Sequence, residues 1–240
     1  MMAEITYGTT TIQYTIVYSY RKTLGICVNR DCQVMVKAPV GASMAQIEKI
    51  VTKRTPWILK QQQYFKSLGE KMPPRRYISG ESHLYLGKQY VLRVTEGATN
   101  DICFEGHSFE IVCKPQKNVE TRLIACRLMK DWYREQAQIL FAEMAGPIIQ
   151  RFKKYKVAPT GLSIKSMVSR WGSCTPKGKI ILNTELIKAP KPCIEYVITH
   201  ELCHLIHRNH AKVFYELLAK EMPDWERWKE QLKQIEVYCK

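Results

Sequence analysis

The segment CIEYVITHELCHLIHRNH, residues 193–210, restricts the fold of this 240-residue chain more than any other stretch. Val197, Ile198, Leu202 and Leu205 give it an apolar face at helical spacing, so it reads as a helix bound for the interior. Two histidines and a glutamate on such a helix need partners, because polar groups buried without them are costly. Within the segment runs H-E-x-x-H, from His200 through Glu201 to His204. Residues four apart share one helix face, so both imidazoles reach a single metal ion. Glu201, about 100° round the helix from His200, is placed to take a proton from water without itself ligating.

A catalytic zinc takes three protein ligands and keeps one position open. His207, seven residues past His200, shares its face on a continuous helix but lies about two turns along the axis. His210 reaches the site only if the helix ends first. Arg208-Asn209 marks such an end, because asparagine tolerates the left-handed conformation used past helix C-termini. His210 is therefore the favoured third ligand, with His207, Glu216 and Glu221 as alternatives.

Around this segment the chain reads as α+β. Strands are expected at TIQYTIVYS, KTLGICVN and CQVMVKA, forming a meander with a turn at Asn29-Arg30-Asp31. Two short helices follow, SMAQIEKIVTKR and PWILKQQQYFKSL, separated at Thr55-Pro56 because proline breaks a helix interior. Pro73-Pro74-Arg75-Arg76 reads as a linker. Beyond it come HLYL, QYVLRVTE and a hairpin through Glu105-Gly106-His107, then a helix from about Val119 to Met144 that Gly146-Pro147 interrupts. LSIKSMV and KIILNTELI suggest a hairpin with Trp171–Cys174 as its turn region. The metal helix starts after Pro190 and Pro192, and two further helices close the chain. These divisions predict a β-meander with two helices over 1–74, a β-hairpin region over 75–117 and a catalytic core over 118–240. No internal repeat is visible.

Charge bears on partners. Thirty-seven Lys and Arg against twenty-two Asp and Glu give a net charge of +15. The excess is concentrated in residues 151–191, where ten basic residues face one acid, Glu185, a net +9 directly before the metal helix. Such a segment suits an anionic substrate or partner, a nucleotide or a nucleic acid. The nine cysteines are scattered, mostly in apolar runs, and read as free thiols rather than a disulfide framework. With no apolar run long enough to span a membrane and no signal-peptide pattern at the N-terminus, a cytoplasmic location is expected.

SRWGSCTPKGKIILNTELI, the spacer ending in YVITHELCH, and then NHAKVFYELL and MPDW resemble the YgjP-like metallopeptidases. The resemblance implies a zinc-dependent hydrolase in which His200, His204 and His210 bind the metal, with Phe214 completing the motif four residues past His210. His207 is extra to that pattern. It also implies kinship with SprT-like proteases, hence a minimal zincin-like core of a small antiparallel sheet plus the metal helix. In such cores a strand before the helix pairs with an extended substrate, and KIILNTELI is the expected strand. Metzincin proteases share the histidine spacing, but their Met-turn is not evident here, and Met222 reads as core.

The expected activity is that of a zinc metallopeptidase acting on a peptide or protein substrate, with Glu201 as general base and Arg170 or Tyr215 as the oxyanion donor. The alternatives are a nucleoside triphosphate pyrophosphohydrolase, whose polyphosphate the 151–191 segment would hold, and a nucleic-acid-associated peptidase. Against the former, the chain carries no P-loop motif.

Overall fold

The computed structural model describes residues 1–67, 75–167 and 170–239, with side chains to residue 235. Pro73 and Pro74, half of the expected linker, lie outside the described residues. Among the described residues the fold is mixed α+β, with three small mixed sheets and five α-helices. The chain divides into two compact units, Met1–Met72 and Pro73–Lys240.

In the first unit, β1 (Met2–Tyr7), β2 (Thr10–Ser19), β3 (Gly25–Val28) and β4 (Val34–Pro39) form a sheet in the order β1-β2-β4-β3. This is not the expected meander. β4 pairs parallel with β2 from Tyr14↔Val34 to Ser19↔Pro39, which leaves β3 at the edge. Alternation puts Ile12, Tyr14 and Ile16 of β2 and Val34, Val36 and Ala38 of β4 into one core. The helix α1 (Met44–Ser67) closes it and runs unbroken through Pro56, where two helices were expected. Ile47, Val51, Thr55 and Ile58 stay buried on one stripe across the proline. Burying Ile47, Val51 and Ile58 contributes about 1.5–3 kcal/mol each, so together they outweigh the roughly 3 kcal/mol that an interior proline costs. The Thr55 hydroxyl also donates to the Val51 carbonyl at 3.2 Å.

The second unit begins with the same plan. β5 (Ser82–Tyr85), β6 (Lys88–Glu96), β7 (Asp101–Phe104) and β8 (Ser108–Cys113) take the order β5-β6-β8-β7, with β6 and β8 parallel. A long helix, α2 (Thr121–Phe152), follows, as α1 follows the first sheet. The two halves thus share a topology that their sequences do not show. α2 also continues through its proline, Pro147, because Phe141, Ala145, Ile148 and Phe152 prolong the buried stripe.

The site is carried by the last sheet and helices. β9 (Gly161–Lys165), β10 (Gly172–Cys174) and β11 (Lys179–Asn183) take the order β10-β11-β9. β10 is antiparallel and β9 parallel to β11, so this sheet is mixed where an antiparallel one was expected. Trp171–Cys174 is therefore mainly strand rather than turn, and the hairpin is β10–β11. The expected substrate-pairing strand, β11, is central and has both sides taken, while β10 is the edge. Residues Thr184–Lys188 form a 3-10 turn, then α3 (Lys191–Cys203), α4 (Lys212–Glu221) and α5 (Trp225–Cys239) complete the chain.

A single core joins these parts. Leu92, Phe109 and Ile111 of the second sheet share it with Trp132 and Phe141 of α2 and Val197 and Leu202 of α3, so residues 75–117 and 118–240 do not have separate interiors. The β5–β6 turn docks at the start of α3. Leu86 and Gly87 donate their backbone N–H groups to the Ile187 and Lys188 carbonyls at 3.1 and 2.9 Å. Gly87 has φ +83°, and a Cβ there would lie 2.5 Å from Pro190 Cγ, so the turn requires glycine twice over. No helix among the described residues is long and apolar enough to cross a membrane.

Candidate metal centre

α3 ends at Cys203, earlier than Arg208-Asn209 suggested, and His204 is its right-handed C-cap. Asn209 does not adopt the left-handed conformation expected of it. The early end frees residues 205–210 to turn back, and the ligand atoms of His200, His204 and His210 come within 4.8 Å of one another. His200 and His210 approach most closely, Nε2 to Nε2 at 3.0 Å. Phe214, at the first turn of α4, packs its ring 4.6–4.9 Å from all three imidazoles and floors the cluster.

The donor set fits a metal ion. Two imidazole nitrogens bound to one zinc at about 2.0–2.1 Å stand roughly 3.3 Å apart at tetrahedral angles, close to the spacing of His200 and His210. The tautomer of His204 is set independently: its Nδ1 lies 3.0 Å from the backbone carbonyl of His207, so Nδ1–H donates there and Nε2 keeps its lone pair for the cluster. This gives His207 a part through its backbone rather than its ring. Burial, with His204, His210 and Lys229 nearby, holds the His200 pKa down at about 3, and burial followed by His204 and Lys229 lowers that of His210. Both rings are neutral at ordinary pH, as ligation demands.

The other proposed ligands point elsewhere. Glu221 accepts from the Tyr155 hydroxyl at 2.5 Å and pairs with Lys154 at 2.8 Å and Arg151 at 3.2 Å. Glu216 is exposed beside Lys212. Met222 is core, as read from the sequence.

Glu201 is only 6% exposed. Its carboxyl pKa is raised to about 7 by burial, against which the Cys174 backbone N–H and the Arg170 guanidinium pull. β10 sets its place: a Cβ on Gly172 would come within 2.7 Å of Glu201 Oε1, so the strand runs hard against the carboxylate. Arg170 lies at both cavities that meet here, whereas Tyr215 stacks on His210 with ring centroids 6.0 Å apart.

Sequence reasoning missed Asn183. It is 1% exposed and its amide spans two segments. Its Nδ2 donates to the Met167 and Arg170 carbonyls, each at 2.8 Å, while Oδ1 accepts from the Met167 and Glu185 N–H groups at 3.3 and 3.2 Å. Its own backbone N–H donates to the Trp171 carbonyl at 2.8 Å. Asn183 thereby holds Arg170 and Trp171 over the centre, and an asparagine closing a strand was the available signal.

The basic segment is less uniform than its composition. Arg151 and Lys154 are engaged with Glu221, and Lys188 with Glu185 at 2.5 Å. Arg170, Lys177 and Lys156, joined by Arg208 from beyond the segment, line cavities beside the cluster.

Three clustered imidazoles beside a buried carboxylate equip a metal-dependent hydrolase. Residues 22–235 match the YgjP-like metallopeptidase domain. The chain belongs to that family, which supports a metallohydrolase and implies a metal ion. Over 97 residues it is also 30% identical to the UTP pyrophosphatase of Escherichia coli (strain K12). That alignment spans 39% of this chain and 58% of the relative's length.

Proposed function

We propose that the protein hydrolyses a phosphoanhydride bond of nucleoside triphosphates, with zinc held by His200, His204 and His210 and Glu201 as general base. The observation that carries the reading is the charge of the surrounding walls. The two cavities meeting at His200 and Glu201 carry Arg170, Arg208, Lys229 and Lys233, and Glu201 is the sole acid among their described lining residues. Such walls suit a polyphosphate, whose charge they offset, better than a neutral peptide. The relative named UTP pyrophosphatase supports the same substrate class.

When bound, zinc supplies Lewis acidity, polarising a phosphoryl oxygen and acidifying water. Glu201 takes a proton from the attacking water as its oxygen forms the new P–O bond. The bond from phosphorus to the bridging oxygen breaks, and Glu201 returns the proton to the departing phosphate. Burial raises the carboxyl pKa of Glu201, the direction that suits a general base at neutral pH. Arg170 stabilises the charge developing on the phosphoryl oxygens.

A peptidase is the second reading, favoured by β10. Among the described residues no strand pairs with its outer edge, and its residues line the cavities. An extended peptide added there would cross Glu201 in the manner of a minimal zincin-like core.

The deciding experiment sets zinc-loaded protein against a nucleoside triphosphate panel and a peptide library, with Glu201→Gln alongside. Phosphate or pyrophosphate release that falls about 10²-fold or more in the variant supports the proposal. Peptide cleavage lost in the variant, with no nucleotide turnover, establishes the second reading instead.

A further inference from the structure

The cavities around the metal centre form a series of unlike chambers. The first, of about 280 Å³, is walled by Trp171, Tyr196 and Leu232, with Lys229 and Lys233 at its polar side. The second, of about 360 Å³, holds the three histidines with Arg170 and Arg208. It shares Arg170, Gly172, His200 and Glu201 with the first. The third, of about 400 Å³, shares Cys174, Pro176, His204 and Arg208 with the second and adds Lys156 and Lys177. Neither an aromatic residue other than His204 nor any acid is among its described lining residues.

Resting on the phosphoanhydride reading, we infer that the nucleotide lies across α3 in one direction, its base in the Trp171–Tyr196 chamber and its terminal phosphate in the Arg208–Lys177–Lys156 chamber. The asymmetry of the walls carries this. A base has a π-face and gains from stacking on an aromatic ring. A phosphate gains from charge and hydrogen-bond donors, which Lys156, Lys177 and Arg208 supply in the third chamber beside Thr160 and Thr175. Two of its cations are placed by backbone constraints. Arg208 donates to the Pro176 carbonyl at 2.9 Å. Lys156 sits in the left-handed conformation, at φ +58°, an unusual state for a residue with a side chain. His200 and Glu201, where the bond is cut, are shared by the first and second chambers and so lie between the two ends.

The orientation separates two ligands. UTP has a base and tripolyphosphate has none, so the two ends of the groove are tested by binding both to zinc-loaded Glu201→Gln protein, whose turnover is about 10²-fold or more slower. On that background Trp171→Ala weakens UTP about 10-fold or more and leaves tripolyphosphate unchanged. Trp171→Phe, which keeps a ring, retains UTP affinity and controls for lost folding. Lys156→Ala with Lys177→Ala weakens both ligands alike and flattens the salt dependence of each. Equal weakening of UTP and tripolyphosphate by Trp171→Ala, with zinc content intact, overturns the orientation, as does unchanged tripolyphosphate binding in the lysine pair. If the parent protein binds neither ligand, the phosphoanhydride reading fails with it.

Discussion

Gly172→Ala tests how Glu201 is aimed. The added methyl would stand 2.7 Å from Glu201 Oε1, 2.8 Å from its Cγ and 2.9 Å from Val197 Cγ1. Ordinary van der Waals contact begins near 3.4 Å, so something must yield by roughly 0.5–0.7 Å. Gly172 cannot retreat freely, because β10 is paired to β11 through Gly172↔Leu182. Val197 is buried in the main core. The carboxylate is the softest of the three contacts and takes most of the shift. A displacement approaching 1 Å costs up to about 10²-fold in rate, and overpacking costs about 1–3 kcal/mol of stability. Turnover should therefore fall between about 10- and 10²-fold. The atoms nearest the new methyl belong to Glu201 and Val197 and none to the three imidazoles, so zinc content should hold. Steady-state kinetics, elemental analysis and thermal melts on the same preparation check all three. Wild-type turnover in a folded, zinc-loaded variant would refute the idea that β10 positions Glu201.

His207→Ala removes a ring but keeps the carbonyl that orients His204, so zinc affinity should change by less than the roughly 10–100-fold seen when an outer-shell group is lost; competition with a chromophoric chelator measures it. Asn183→Ala leaves the Met167 and Arg170 carbonyls without their amide donor and should destabilise by about 2–4 kcal/mol, with activity falling further than zinc content. His83 gives a pH signature. It is 4% exposed, and burial, with Arg75 and Lys188 adding to it against the nearby Glu81, lowers its pKa to about 4. The folded state resists a proton that the unfolded chain accepts below about 6.5, so its contribution is complete above that pH. It is lost as pH falls from about 6.5 toward 4, by up to roughly 3 kcal/mol. His83→Gln should flatten that part of the stability profile in denaturant titrations.

The metal cluster was legible because its parts are local. His200, Glu201 and His204 lie within one turn, and the helix that carries them is marked by its own apolar residues. What the sequence concealed is decided by distant partners. Pro56 and Pro147 signal breaks, yet each helix continues because the buried stripe resumes beyond the proline, and a single lost hydrogen bond weighs less than that burial. Gly172, Ser173 and Cys174 have little strand propensity and become β10 only by pairing with β11. The parallel pairings of β2 with β4 and β6 with β8 rest on register between non-adjacent segments, which is why the shared plan of the two four-stranded sheets has no trace in residue identity. The His207 carbonyl is invisible for a simpler reason: every residue has one.

Metal content, measured together with turnover across three variants, tests the central assignment most directly. Elemental analysis should find one zinc per wild-type chain, most of it lost in His204→Ala and His210→Ala. Glu201→Gln should retain a full equivalent while losing about 10²-fold or more in activity. A full equivalent retained by His204→Ala, or zinc lost from Glu201→Gln, would contradict the assignment of three imidazoles as ligands and the carboxylate as base.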